Sequence, residues 1–416
     1  MYPDWPETDA DLVPLPQCIG PKLKPFSFQG GPQRIEFLKY LGEGSHAHVF
    51  EVKIRGQLYA LKLFRFVYDD DWIGPEPEHD HNDRELMSAF YNYSEPFSCE
   101  CRAYGRLQEA GHEDLVLKCF GYVLLDEAHE QAMMTQFSDL DLEFNGNMDY
   151  PGSEDVRSRF LGKDGRAPPI RGIIKELGLP DKEENLNARV MRKILGDMFK
   201  LRKLGIFRID AATRQILSYK LCDLSMAFTV PHFMATPELN PHLTPEMISA
   251  MELETFKACM NDYFTFDDMI FDWNLDYGKE KGTISTRAFP DGRGCQLKYN
   301  LRSQAARDRI YTFVDPRKYD WRSRSVSAGS GGKETIKLRR SKRLSKGGKH
   351  GKPQGVGPKK PLQLTAKPSL WYYDCEGWQA ERLRRGPLHS LTQKWDYKEG
   401  FIFPRIEAPF IPYQLK

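Results

Sequence analysis

The sequence predicts an α+β protein of two lobes, a strand-rich one followed by a reduced helical one. Three observations carry that prediction. Residues 41–62, LGEGSHAHVFEVKIRGQLYALK, alternate apolar and polar positions around Arg55-Gly56, the pattern of a β-hairpin with a glycine-rich tip. Residues 185–204, NLNARVMRKILGDMFKLRKL, place Val190, Ile194, Leu195, Met198, Leu201 and Leu204 on one stripe, the pattern of a long amphipathic helix. Directly after it, Asp210 and Asp223 stand on loops between short apolar runs.

Taken in order, residues 1–33 hold seven prolines and read as an extended lead-in. The strand-rich lobe spans 34–137, with strands expected at 34–66, 115–125 and 132–137. Between them, 96–111 reads as a helix ended by Gly111, and 69–83 as a solvated acidic loop in which His79 and His81 have no fixed geometry for a metal. Residues 138–322 form the helical lobe: irregular to 184, then the 185–204 helix, then a helix over 243–259 opened by Thr244-Pro245. Residues 323–361 are rich in Gly, Ser and Lys with almost no apolar residues, so they are expected to be disordered. A tail, 362–416, carries Trp371, Trp378, Trp395 and many other aromatics; it either docks on the body or meets a partner.

Composition narrows the function classes. The chain has 416 residues and 40% hydrophobic content, enough for a sizeable core. No apolar run approaches the roughly 20 residues of a membrane span, and the first residues lack a signal-peptide pattern, so a soluble intracellular protein is expected. Eight cysteines without CxxC pairs predict free thiols rather than a zinc site. Net charge is +2, yet residues 333–360 hold eleven Lys or Arg against Glu334; that segment is +10 and the remainder −8.

The glycines of the first hairpin, Gly42 and Gly44, let backbone N–H groups approach a phosphate, and Lys62 at the end of the return strand supplies a cation there. Gly42, Gly44 and Val49 resemble the G-x-G-x-x-G-x-V loop of protein kinases, with Ala47 at the third glycine, and Tyr59-Ala-Leu-Lys62 resembles V-A-I-K. The resemblance implies a two-lobed protein-kinase-like fold with ATP and magnesium as cofactors. Glu100 then pairs with Lys62, Met134 lies in the hinge against the adenine, Asp210 is the catalytic aspartate, and Asp223 with Gln215 holds the metal.

Departures from the kinase pattern predict impaired catalysis. Arg208 and Ile209 replace His and Arg before Asp210, Gln215 replaces an asparagine, and Leu224-Ser225 follow Asp223 where Phe-Gly is usual. Weakened metal ligation removes the electrostatic stabilisation on which phosphoryl transfer mostly rests.

Residues 14–26 (PLPQCIGPKLKPF), IEFLKYLGEGSHAHVFEVKI, YALKLFRF, CRAYGRL and CDLSMAFTVPHF together resemble the fungal family named after the Fta-two subunit of the Sim-four kinetochore complex, over about 14–240. That resemblance implies a nuclear, centromere- or kinetochore-associated protein with kinetochore subunits as partners. The function expected is that of a pseudokinase-type scaffold; the alternatives are an active atypical kinase and a nucleic-acid-binding protein. For the last, Arg339, Arg340, Lys342 and Arg343 lie in a basic cluster suited to nuclear import or to DNA phosphates.

Overall fold

The computed structural model describes residues 1–29, 31–75, 78–146, 155–181, 186–285, 297–301, 314–325, 362–363 and 371–406. The chain is a mixed α+β protein. Its N-terminal half is built on a five-stranded antiparallel sheet of β1 (Glu36–Gly44), β2 (Ala47–Ile54), β3 (Gln57–Phe64), β4 (Cys119–Leu124) and β5 (Arg171–Lys175), in the order β1-β2-β3-β5-β4. The β2–β3 turn is the expected one: Arg55 and Gly56 both take positive φ, 52° and 79°, as a two-residue hairpin turn matched to strand twist requires. β2 alternates buried and half-buried residues, whereas β5, between β3 and β4, is buried throughout.

Two expectations for this half are corrected. Residues 132–137 are not a strand: they close helix α3 (Glu127–Gln136), which Asp126 caps by accepting the His129 N–H at 2.8 Å. The run EAHEQAMMTQ is dominated by good helix formers, and that propensity with an N-cap outweighs the short apolar cluster. The fifth strand comes instead from Arg171–Lys175, inside a stretch expected to be irregular. Its Gly172 is required by packing, since a Cβ there would lie 2.7 Å from Leu63 Cδ2.

Helices α1 (Arg84–Ser94) and α2 (Pro96–Ala110) precede β4 in the chain. α2 begins on Pro96 with Glu95 as N-cap, ends at left-handed Gly111, and is buried continuously from Pro96 to Leu107. Such burial needs partners for its charged residues, and the opposite half of the molecule supplies them. Arg102 donates to Thr229 O at 3.0 Å and Arg106 to Val230 O at 2.5 Å.

The second half starts with α4 (Ala188–Lys203), capped by Asn187 and buried along the expected stripe. Short pairs follow, β6 (Ile206–Phe207) with β9 (Phe228–Thr229) and β7 (Ile216–Leu217) with β8 (Lys220–Leu221). α5 (Pro245–Lys281) starts at Thr244-Pro245 as predicted but runs 37 residues, well past 259. Its expected end rested on the acid–aromatic mixture after Asp262; there Tyr263, Phe266, Met269, Ile270 and Trp273 keep a helical spacing and are buried.

The tail folds back on the body. Helix Gly377–Arg385 sends Gln379 Nε2 to Ser249 O at 2.8 Å, and the Thr392 N–H is taken by Glu254 at 3.0 Å. The hairpin Trp395–Lys398 with Phe401–Pro404 buries Trp395, whose ring centroid lies 4.8 Å from that of Phe233. Residues 322–325 form a single helical turn. Arg339, Arg340, Lys342 and Arg343 lie outside the described residues. No helix among the described residues is long and apolar enough to cross a membrane.

Candidate functional site

Sheet register brings the first two charges together. Lys62 on β3 pairs with Ile173 of β5, and Lys175 pairs with Ala60, so the two lysines sit two positions apart on one face. Lys62 Nζ donates to Glu100 Oε2 at 2.9 Å and to Asp223 Oδ1 at 2.7 Å. Lys175 Nζ takes the other oxygen of Glu100 and donates to Cys222 O at 2.7 Å. Glu100 is fully buried and Lys62 and Lys175 nearly so. Buried amines and carboxylates persist only when paired, and here Lys62, Lys175 and Glu100, with the partly exposed Asp223, form a neutral quartet.

The quartet is electrostatically self-consistent. Burial pushes the Asp223 carboxyl up, but Lys62, Lys175 and the Ser225 N–H at 2.9 Å outweigh it and hold the group well below the usual carboxylate range. A depressed folded value makes this contribution full above the unfolded value of about 3.9, and lost only as pH falls through the lower folded one. Burial works against the charge of Lys175, yet Glu100 and Asp223 raise its amine above the ordinary value.

The hairpin tip closes on this group. His46, between β1 and β2, has Nδ1 3.3 Å from Ser225 Oγ, two residues after Asp223. Burial and the charge of Lys62 lower its imidazole to about 4, so it is neutral at pH 7. Gly42 and Gly44 flank open space, since a Cβ at either meets nothing within 4 Å. Gly42 also takes φ 139° at a register shift in β1, which only glycine adopts freely. Val49 lies directly opposite Lys62 across β2 and β3.

Asp210 sits on the loop after β6, its side chain 41% exposed. It accepts from Gln215 Nε2 at 3.3 Å and has Arg214 at 3.5 Å. Its charge and that of Asp223 both favour the charged form of the His46 imidazole, against the larger effects of burial and Lys62. The loop is held from below by Asp262 of α5, which accepts from Arg202 at 2.6 Å and from the Ile209 N–H. Arg202 and Asp262 are each 1% exposed.

The sequence model of the family described as kinetochore Sim4 complex subunit FTA2 matches residues 12–228, just over half of the 416. The chain belongs to the FTA2 family. No curated protein matches it. The FTA2 segment contains every member of the quartet, together with His46, Arg208, Asp210, Gln215 and Ser225; the loop support from Asp262 lies beyond it. The family's description ties its members to the kinetochore.

Of the residues singled out in this FTA2 chain, Lys62, Glu100 and Asp223 are in direct contact, and Asp210 and Gln215 form a second contact beside them. Met134 is not in a connection between sheet and helices. It is on α3, 38% exposed, and the chain re-enters the sheet as β5 before α4. Sequence reasoning missed Lys175, His46 and the Arg202–Asp262 pair. Lys175 ends the missed strand, so the signal for it was the same RGIIK run; His46 and Asp262 have no local signal, because their partners are 179 and 53 residues away.

Proposed function

We propose that this FTA2-family protein is a nuclear, kinetochore-associated interaction protein whose core is kinase-like and binds phosphates better than it transfers them. The observation that supports it most is the convergence of Lys62, Glu100 and Asp223, contributed by β3, α2 and the loop after β8. A glycine-rich hairpin, a strand lysine held by a helix carboxylate and a loop aspartate are the parts that cradle a nucleotide in kinases.

The residues fit ATP with magnesium in outline. The open backbone at Gly42 and Gly44 and the Lys62 amine suit phosphate oxygens; Asp223 offers a hard oxygen to a divalent ion, as does the buried, unpartnered Oε1 of Gln215. When bound, magnesium would supply charge neutralisation across the phosphates. For transfer the set is poor. Asp223 is already engaged by Lys62, a neutral amide stands at the second ligand position, and Asp210 is held by Gln215 and Arg214. An active atypical kinase using Asp210 is the competing reading.

Thermal unfolding of the full chain with ATP and magnesium tests the proposal. A rise in midpoint that Lys62→Met abolishes, without phosphate transfer to added protein, is the expected result. No rise removes the nucleotide reading, and measurable transfer lost in Asp210→Asn makes the protein an enzyme. The basic residues 333–360 we assign to nuclear import or DNA contact; DNA affinity that falls steeply with salt and disappears on deleting them is expected, and unchanged affinity would end that assignment.

A further inference from the structure

The outward face of α4 carries charge of one sign. Arg189, Arg192, Lys193, Lys200 and Lys203 are all exposed. At about 3.6 residues per turn and 1.5 Å per residue, they fall within an arc of about 100° on a stripe about 21 Å long. The helix holds a single carboxylate, Asp197, which is buried and shared between Lys193 and Lys200 at 2.7 Å each. Acids at 181, 183 and 184 stand before the N-cap Asn187, outside the helix. Five exposed cations and one buried acid leave the stripe at +4, on a protein whose residues outside 333–360 sum to −8.

Fold stability does not explain this pattern. Arg189 stands in the first turn, where the helix macrodipole disfavours a cation, and no acid shares that turn. Arg189 with Arg192 and Lys193, and Lys200 with Lys203, are like charges at three- and four-residue spacings, which repel along a helix surface. Gly196, at the centre of the stripe, is a poor helix former, yet a Cβ there would meet nothing within 4 Å, so packing does not require a glycine. What Gly196 provides is bare backbone between two groups of cations, open to close approach. Three features that weaken the helix therefore coincide on one face.

We propose that this face of α4 binds the phosphate backbone of duplex DNA without regard to sequence. Charge selects the partner: cations that neutralise phosphates release condensed counterions, so a run of Lys and Arg binds DNA with no apolar anchor. The lack of such an anchor disfavours other anionic partners. No large apolar residue is exposed on the stripe, and Phe199, at its edge, is half-buried. Protein hot spots and interfacial membrane helices need an aromatic or apolar contact, and single strands need rings on which bases stack. The surface is separate from the phosphate site at Lys62, and it adds a folded contact to the one assigned to residues 333–360.

The test is fluorescence anisotropy of the full chain with a labelled DNA duplex of arbitrary sequence, across roughly 50 to 200 mM salt. A triple variant, Arg189→Gln with Arg192→Gln and Lys203→Gln, removes cations that have no carboxylate within ion-pair distance among the described residues and leaves both partners of Asp197 in place. At about 0.9 per phosphate contact, it is expected to reduce the slope of log affinity against log salt by about 2 to 3, with at least a roughly tenfold loss of affinity at low salt. Gly196→Glu separates binding from folding. Glutamate is the better helix former and meets Lys193 and Lys200 at helical spacing, so thermal stability is expected to hold or rise while DNA affinity falls. Should the triple variant not fold, Gly196→Glu decides alone. Slope and affinity unchanged in both variants overturn the proposal, even where deleting 333–360 abolishes binding. An equal loss in a control triple, Lys39→Gln with Lys163→Gln and Lys398→Gln, overturns it too, because that variant removes the same charge from exposed positions elsewhere. No DNA binding by the native chain overturns it outright, and native binding to polyglutamate but not to DNA does so in favour of an acidic protein.

Discussion

Replacing Glu100 by alanine is expected to lower the unfolding free energy by about 3–5 kcal/mol, the range found when one partner is removed from a buried ion pair. Two amines share this carboxylate, and neither has another way to be solvated: Lys62 would keep only Asp223, and Lys175 only the Cys222 carbonyl. The residue is fully buried on a helix that is itself buried from Pro96 to Leu107, so water cannot simply replace it. Urea unfolding of the full chain measures the loss. Glu100→Gln separates charge from cavity, since it keeps the volume and removes only the charge. Adding Lys175→Met to Glu100→Gln removes the surplus amine, and the double variant is expected to be more stable than Glu100→Gln alone, a non-additivity that marks direct coupling. A loss under about 1 kcal/mol in Glu100→Ala would mean the quartet is not a closed electrostatic unit.

How much of this was legible in the sequence depends on the reach of each interaction. The β2–β3 hairpin, α2 and α4 are fixed by near neighbours: a positive-φ turn at Arg55-Gly56, Pro96 and Gly111 bracketing a helix, Asn187 before an apolar stripe. These were readable because the chain carries both the pattern and its punctuation within a few residues. β5 was not, since five residues flanked by proline-rich loop give no periodicity, and only pairing with β3 and β4 makes RGIIK a strand. Misplacing that strand also misplaced the connection to α4, which is why Met134 was singled out and Lys175 was not. In the site, Lys62, Glu100 and Asp223 followed from the order of motifs, whereas His46 and Asp262 are placed by tertiary contacts alone. The tail shows the same limit: its aromatics announced a surface to be covered, and only the fold shows that Phe233 covers Trp395 while Trp378 stays exposed.

Trp395→Ala is the corresponding test of that tail, with an expected loss of about 3–5 kcal/mol, the range for deleting a buried large aromatic. Trp395 is 2% exposed and meets Phe233, whose ring is packed in turn against Phe90, Tyr93 and His232. That cluster joins α1 to the segment after β9, so the indole acts as a plug on the seam between the two halves of the molecule. Neighbouring tail contacts are polar and shallow by comparison: Tyr397 to Glu85, Asn240 to the Ile402 carbonyl and Asp396 to Arg405. They hold position but bury little, so they cannot replace the ring. Two measurements check this. Urea unfolding gives the size of the loss, and limited proteolysis gives its location, because a released tail is cut between 371 and 406 before the sheet is attacked. Trp395→Phe, which keeps an aromatic ring, is expected to lose less than half as much. If Trp395→Ala instead retains native stability and protease resistance, the tail is not seated on Phe233, and its aromatic residues become the surface through which this FTA2-family chain meets a partner.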